Sequence, residues 1–251
     1  MRFLILTKKH LLMLGCGLLA VIIGAAVSVS ALAKGERLLP IYCVETAEKK
    51  VALTFDAAWG ADDTDTLISV LKNYNATATF FVVGEWVDKY PDEVKKLSDA
   101  GFDVMNHSAT HPYMTNLSED GMREQLKICN DKIAAVTGKT PPLFRCPYGD
   151  YDNRVISTVE SVGMKTLQWD VDSLDWKDYE PEKIIDNVCN HKSLGAGSIV
   201  LCHNGAKYTA QALDDMLTKL KNQGYEIVPI SELILRENYH MDVTGMQIAD
   251  E

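Results

Sequence analysis

The feature that most constrains this chain is a repeat of pattern. Beyond residue 48, short apolar runs alternate with amphipathic helical stripes about seven times. The runs fall at residues 51–55, 77–83, 102–106, 143–145, 165–169, 198–202 and 226–229. Between them, residues 63–74, 86–100, 153–162, 181–191 and 210–223 carry helical spacing, and Ser118 is a plausible N-cap for a further helix with Met122, Leu126, Cys129 and Ile133 as its stripe. A strand that is apolar on both faces must be covered on both faces. Strands and helices in alternation therefore predict a parallel sheet flanked by helices. Hydrophobic residues make up 47% of 251 residues, enough for one sizeable core.

No Gly-x-Gly-x-x-Gly follows the first run, so a dinucleotide-binding fold loses its main support. A distorted (β/α) barrel is the better reading, and its chemistry belongs at the C-terminal strand ends. The polar residues that follow the runs fit that rule. Asp56 ends the first; His107 and His111 follow the third; Arg145, Asp170 and His203 follow later ones. His107 and His111 are four apart, which places two imidazoles on one side of a turn and suits zinc or a similar divalent metal. An ordinary pair of solvated histidines is the competing reading.

Five segments together resemble the polysaccharide deacetylases with a NodB-homology domain. They are Thr54-Phe55-Asp56, His107-Ser108-Ala109-Thr110-His111, Arg145-Cys146-Pro147-Tyr148, the tract from Asp170 to Trp176, and Leu201-Cys202-His203, in the family's order over residues 49–235. Within the family, the tract Phe55-Asp56-Ala57-Ala58-Trp59-Gly60 is most similar to a sporulation-associated branch. The resemblance implies metal-dependent hydrolysis of N-acetyl groups on a cell-wall glycan. It implies Asp56 as general base, Arg145 as its partner, and the backbone N–H of Tyr148 as oxyanion donor on a turn stiffened by Pro147. It implies His203 as the acid that protonates the leaving amine, with Asp170 as the aspartate tuning it. His107 and His111 are then metal ligands, and Trp176 and Leu201 form apolar walls. The ion is expected to be zinc, with cobalt, nickel or manganese as alternatives. In one departure, Ala57 stands where the resembled motif has a second aspartate as third ligand. Asp62 or Asp63 is expected to supply that carboxylate, and two histidines with waters are the fallback. Chitin oligomers or acetylated xylan are alternative substrates, and glycan binding without turnover is the non-enzymatic alternative.

The first 33 residues differ from the rest. Arg2, Lys8 and Lys9 precede an uncharged stretch at residues 11–29, and the segment ends in Ala31-Leu32-Ala33. This predicts a cleaved signal peptide or an uncleaved membrane anchor, with the remaining chain outside the cytoplasm. Residues 34–48 read as a linker with a short strand, and 236–251 as a C-terminal tail. The formal charge of -10 disfavours nucleic acid as a partner. A monomer is expected. Five cysteines lie beyond the apolar stretch, an odd number with no CxxC pair, so neither a disulfide framework nor a structural zinc site is indicated.

Overall fold

The computed structural model describes residues 37–250. The N-terminal apolar stretch, with the signal or anchor expectation attached to it, lies outside the described residues. In chain order the strands are β1 (Cys43–Val44), β2 (Lys50–Ala57), β3 (Thr79–Val82), β4 (Asp103–Asn106), β5 (Leu143–Arg145), β6 (Lys165–Leu167), β7 (Val171–Asp172), β8 (Ile199–Asn204), β9 (Glu226–Val228), β10 (Tyr239–Met241) and β11 (Met246–Ala249). The helices are α1 (Thr64–Asn73), α2 (Gly84–Lys89), α3 (Pro91–Asp99), α4 (Glu119–Thr137), α5 (Asn153–Ser161), α6 (Pro181–Cys189), α7 (Thr209–Asn222) and α8 (Ile230–Leu233).

The main sheet runs β6-β5-β4-β3-β2-β8-β7, with β9 also paired to β2, and every pairing is parallel. It is a curled, incompletely closed half-barrel of the distorted (β/α) type. Residues before β2 bridge its open side: Ile41 pairs with Leu167 at the β6 edge, and Cys43 with Ser198 just ahead of β8. β2 sits at the centre. Its residues 51–57 are buried throughout, as the apolar run requires. Helices α1, α6 and α7 cover one face, where Phe55, Leu67, Phe80, Ile184, Leu213 and Leu217 meet in the largest core cluster.

Local chemistry explains the differences from the expected elements. The single helix expected at 86–100 is two, because Pro91 has no N–H to continue α2 and instead opens α3 at its first position. Ser118 caps α4 as expected, accepting from the Gly121 N–H at 3.2 Å. Residues 236–251, read as a tail, contribute β10 and β11, which form a three-stranded sheet with β1. Cys43, Cys129, Cys146, Cys189 and Cys202 are all free thiols.

Candidate active site

Parallel strands in register deliver their C-terminal residues to one edge. Asp56 on β2 is the lateral partner of His203 on β8 and of Phe81 on β3. His107 follows β4 and Arg145 ends β5. One cavity of about 490 Å³ opens there, lined by Asp56, Ala58, Trp59, His107, His111, Tyr148, Gly149, Trp169, Asp172, Trp176, Leu201 and His203.

Arg145 is the largest fully buried side chain, and its position explains the carboxylate beside it. Its guanidinium donates to Asp56 Oδ1 at 2.8 Å, to Thr54 Oγ1 at 2.9 Å and to the Gln168 carbonyl at 3.2 Å, and it lies over the Phe81 ring at 4.2 Å. A buried carboxylate must be paired to stay charged. Burial alone pushes Asp56 upward, but Arg145, His107 and His203 together hold its carboxyl below the usual carboxylate value.

His107 is held by its other nitrogen. Nδ1 donates to the Arg145 carbonyl at 2.9 Å, which leaves Nε2 facing Asp56 Oδ2 at 3.4 Å. A carbonyl that fixes the tautomer and aims Nε2 is a common support for a metal-ligating histidine. Burial lowers the pKa of His107, and burial together with His107 lowers His111 to about 4, so both rings are neutral near pH 7 and able to ligate. Their centroids are 4.9 Å apart. The turn between them is tied down. Ser108 N–H donates to Asn106 Oδ1, His111 N–H donates to Ser108 Oγ, and Gln125 Oε1 accepts from the N–H groups of Ala109 and Thr110. His111 (φ 59°) and Tyr148 (φ 60°) are both left-handed, and their rings meet at 4.5 Å. Residues with side chains adopt that conformation only where the surroundings enforce it.

His203 has the opposite electrostatics. Asp175, fully buried, accepts from the His203 backbone N–H and from Nδ1, each at 2.7 Å. Thr209 Oγ1 donates to the same carboxylate at 2.5 Å. Burial opposes protonation of His203, but Asp175, with help from Asp56 and Asp172, raises its pKa above the ordinary value.

Two expectations from the sequence are corrected. Asp170 does not partner His203. Its carboxylate accepts from Ser198 Oγ and from the Ile199 N–H, each at 2.8 Å, at the start of β8. His203 stands four residues further along the strand, roughly 13 Å away at strand rise. Asp175 does the work expected of Asp170. It lay within the tract from Asp170 to Trp176, but its place on a 3₁₀ turn has no periodicity to single it out. Neither Asp62 nor Asp63 joins the histidines. Asp62 is exposed. Asp63 spends both oxygens on the Gly205 N–H, at 2.9 and 3.0 Å, and accepts from Asn204 Nδ2 as well. Ala57 is fully buried in the apolar core, so no carboxylate stands in its place. Among the described residues, no group of three His, Cys, Asp or Glu side chains is placed to hold a metal. The donors present therefore fit two imidazoles of a metal site and not a three-ligand shell.

Trp176 and Leu201 line the cavity, while Pro147 is buried and not among its lining residues. Sequence reasoning passed over Trp59, which stacks on His203 at 5.1 Å, and Tyr113, which stacks on Tyr148 at 4.2 Å.

The profile of the family described as polysaccharide deacetylase matches residues 44–167. Peptidoglycan-N-acetylmuramic acid deacetylase PdaC of Bacillus subtilis is 36% identical over 76% of this chain, and the chain spans 40% of that protein's length. PdaA of the same organism, also named a peptidoglycan-N-acetylmuramic acid deacetylase, is 34% identical over 80% of this chain and 77% of its own. PgdA of Listeria monocytogenes, named a peptidoglycan-N-acetylglucosamine deacetylase, is 38% identical over 74% of this chain and 39% of its own. Among solved structures, wild-type BA3943 of Bacillus anthracis, described as a CE4 family pseudoenzyme, superposes with a TM-score of 0.75 at 36% identity, covering 84% of this chain and 70% of that one. A BA3943 mutant described as having restored enzymatic activity superposes equally well at 37% identity. Several branches of one family are thus matched at once, and the chain belongs to the polysaccharide deacetylase family of hydrolases.

Proposed function

We propose that this domain removes N-acetyl groups from the amino sugars of peptidoglycan, N-acetylglucosamine or N-acetylmuramic acid. One observation carries the reading. A carboxylate with a lowered pKa and an imidazole with a raised pKa stand side by side on β2 and β8, facing one cavity. Two titratable groups driven apart in this way are a base and an acid both ready at neutral pH. Asp56 takes a proton from the water that attacks the acetamide carbonyl. The Tyr148 backbone N–H faces the oxygen on which negative charge develops. His203, with Nδ1 committed to Asp175, delivers the proton on Nε2 to the nitrogen. The C–N bond then breaks to release acetate and a free amine. Leu201 and Trp176 wall the acetyl methyl. His107 and His111 would hold a divalent ion, zinc first, then cobalt, nickel or manganese; when bound it polarises the carbonyl and acidifies the water.

The wall substrates named for the relatives and the N-terminal pattern support an extracytoplasmic address, with the chain either anchored by residues 11–29 or cleaved after Ala33. The tract from Phe55 to Gly60 supports placement in the sporulation-associated branch. A reporter joined after Glu251 and active only outside the cytoplasm checks the address; activity confined to the cytoplasm refutes it.

A second reading, glycan binding without turnover, is favoured by Ala57, by the lack of a third ligand among the described residues, and by the likeness to a protein described as a pseudoenzyme. Acetate release from N-acetylglucosamine oligomers and purified peptidoglycan, with zinc added, separates the two. The wild-type domain should release acetate and Asp56→Asn should lose roughly 10²- to 10⁴-fold in rate. A wild-type domain that binds glycan and releases none belongs to the second reading.

A further inference from the structure

One face of the His203 ring is covered by a residue that the chemistry above leaves unused. Trp59 lies on it with ring centroids 5.1 Å apart and planes 20° apart. The indole is 48% exposed, so it is no part of the packed core. The His203 side chain beneath it is only 16% exposed. A neutral imidazole stacked on an indole sets two negative π faces against each other. Protonation reverses the sign. A cation within about 6 Å of a ring centroid is attracted by the ring quadrupole, and tryptophan offers the strongest such face. The stack therefore favours one protonation state of this histidine over the other.

The backbone holds the two rings together. Trp59 stands just past β2, and His203 lies near the end of β8, the neighbour of β2 in the sheet. The loops that follow these strands are locked to each other. Gly205 (φ 81°) lies so close to Gly60 that a Cβ there would come within 2.8 Å of its nitrogen. Only glycine permits both that φ and that approach. The Gly60 carbonyl accepts from Trp86 Nε1 on α2 at 3.1 Å. Asp63, just ahead of α1, accepts from the Gly205 N–H at 2.9 and 3.0 Å. The charged and titratable groups around the imidazole come from three other places. They are Asp172 on β7 with Asp175 after it, Asp56 on β2, and His107 and His111 after β4. Asp175 holds the ring by its Nδ1 edge, whereas Trp59 meets its face.

We propose that Trp59 is a positioning residue for the acid: its indole face fixes the plane of the His203 imidazole and stabilises the positive charge that the ring must carry before it gives up a proton. This rests on the reading of His203 as the acid. The test is the titration of His203, followed by NMR on the full chain, with its signal identified by loss in His203→Ala. Trp59→Leu keeps an apolar cover but removes the π face. Proton affinity of His203 should then fall roughly three- to tenfold, read as a lower titration midpoint. Trp59→Phe keeps a weaker face and should fall by less, and it serves as the test if the leucine variant does not fold. A residue that merely buries the histidine gives the opposite sign, because exposing a buried imidazole raises its proton affinity. A midpoint that rises or stays in place in these variants overturns the proposal, as does an equal fall in both. Acetate release from N-acetylglucosamine oligomers with added zinc supplies the second readout. The alkaline limb of its pH profile should move down with the midpoint. Well below that limb, where His203 is charged in every variant, kcat should return to within a few-fold of wild type with KM little changed. A raised KM at all pH values with an unmoved limb makes Trp59 a substrate contact and overturns the proposal. A midpoint that falls in a chain releasing no acetate leaves the hold of Trp59 on His203 standing and removes the deacetylase reading. Acetate release with an unmoved midpoint does the reverse.

Discussion

Strand β8 is gripped by an aspartate at each end, half-buried Asp170 at its start and fully buried Asp175 at its end, and the two grips serve different purposes. At its start, Asp170 accepts from Ser198 Oγ and the Ile199 N–H, both neutral donors, and burial raises its pKa to about 6. At its end, Asp175 accepts from the His203 backbone and imidazole, and the histidine's pKa rises in consequence. One carboxylate anchors a strand; the other charges an acid. The residue type is the same and the partner decides the role: a neutral donor leaves a carboxylate structural, whereas an imidazole turns it into a control on protonation.

The sharpest way to break this comparison is at the C-terminal end. Asp175→Asn keeps the shape but removes the charge that holds His203 protonated. Deacetylation should fall by roughly 10²- to 10⁴-fold, and the histidine's titration, followed by NMR, should move down toward its ordinary value. A histidine titration that stays where it was would detach Asp175 from the acid. His203→Ala should give a loss of similar size while zinc content, measured on the purified chain, is kept; lost zinc would recast His203 as a ligand.

The matching change at the other end should act on stability instead. Asp170→Ala leaves the Ser198 hydroxyl and the Ile199 N–H without their acceptor, at a cost of about 1–3 kcal/mol by denaturant titration. The His203 titration should not move. A shifted histidine would mean that the two ends are coupled along the strand.

A pH comparison is gentler. Asp170 has a folded pKa above the unfolded value near 3.8, so between there and about 6 the folded state holds the extra proton. Stability should decline as pH rises through that window and level off above it. Asp170→Asn should flatten that part of the curve. His203 adds its own window: with its pKa raised above 6.5, its contribution is full below that value and is lost as pH climbs through the raised one. Asp175→Asn should abolish that second decline and leave the first.

The smallest effects separate two neighbours once expected to bind metal. Asp63→Ala frees the turn at Asn204 and Gly205 and should lower stability by about 1 kcal/mol while zinc content holds. Asp62→Ala, at an exposed position, should change neither. Zinc lost from either variant would return a carboxylate to the metal site.

Legibility in the sequence followed a physical line. Asp56, His107, Arg145 and His203 were readable because each ends or follows an apolar run, and in a parallel sheet such ends share one edge. Asp175, Trp59 and Tyr113 were not, because each sits in a loop where contacts come from elements distant in sequence. The two strands in residues 236–251 were missed for a similar reason. They are short and partly exposed, and they become strands only by pairing with each other and with β1.

By itself, then, the sequence determined the alternation of strand and helix and the strand-end residues that converge, since these rest on local periodicity and chain order. Tertiary structure alone decided which aspartate serves His203 and that Asp63 closes a turn instead of completing a metal shell. It also decided that Trp59 stacks on His203 and Tyr113 on Tyr148. Those outcomes depend on distances between separate loops, and loop geometry is set by what the loops pack against.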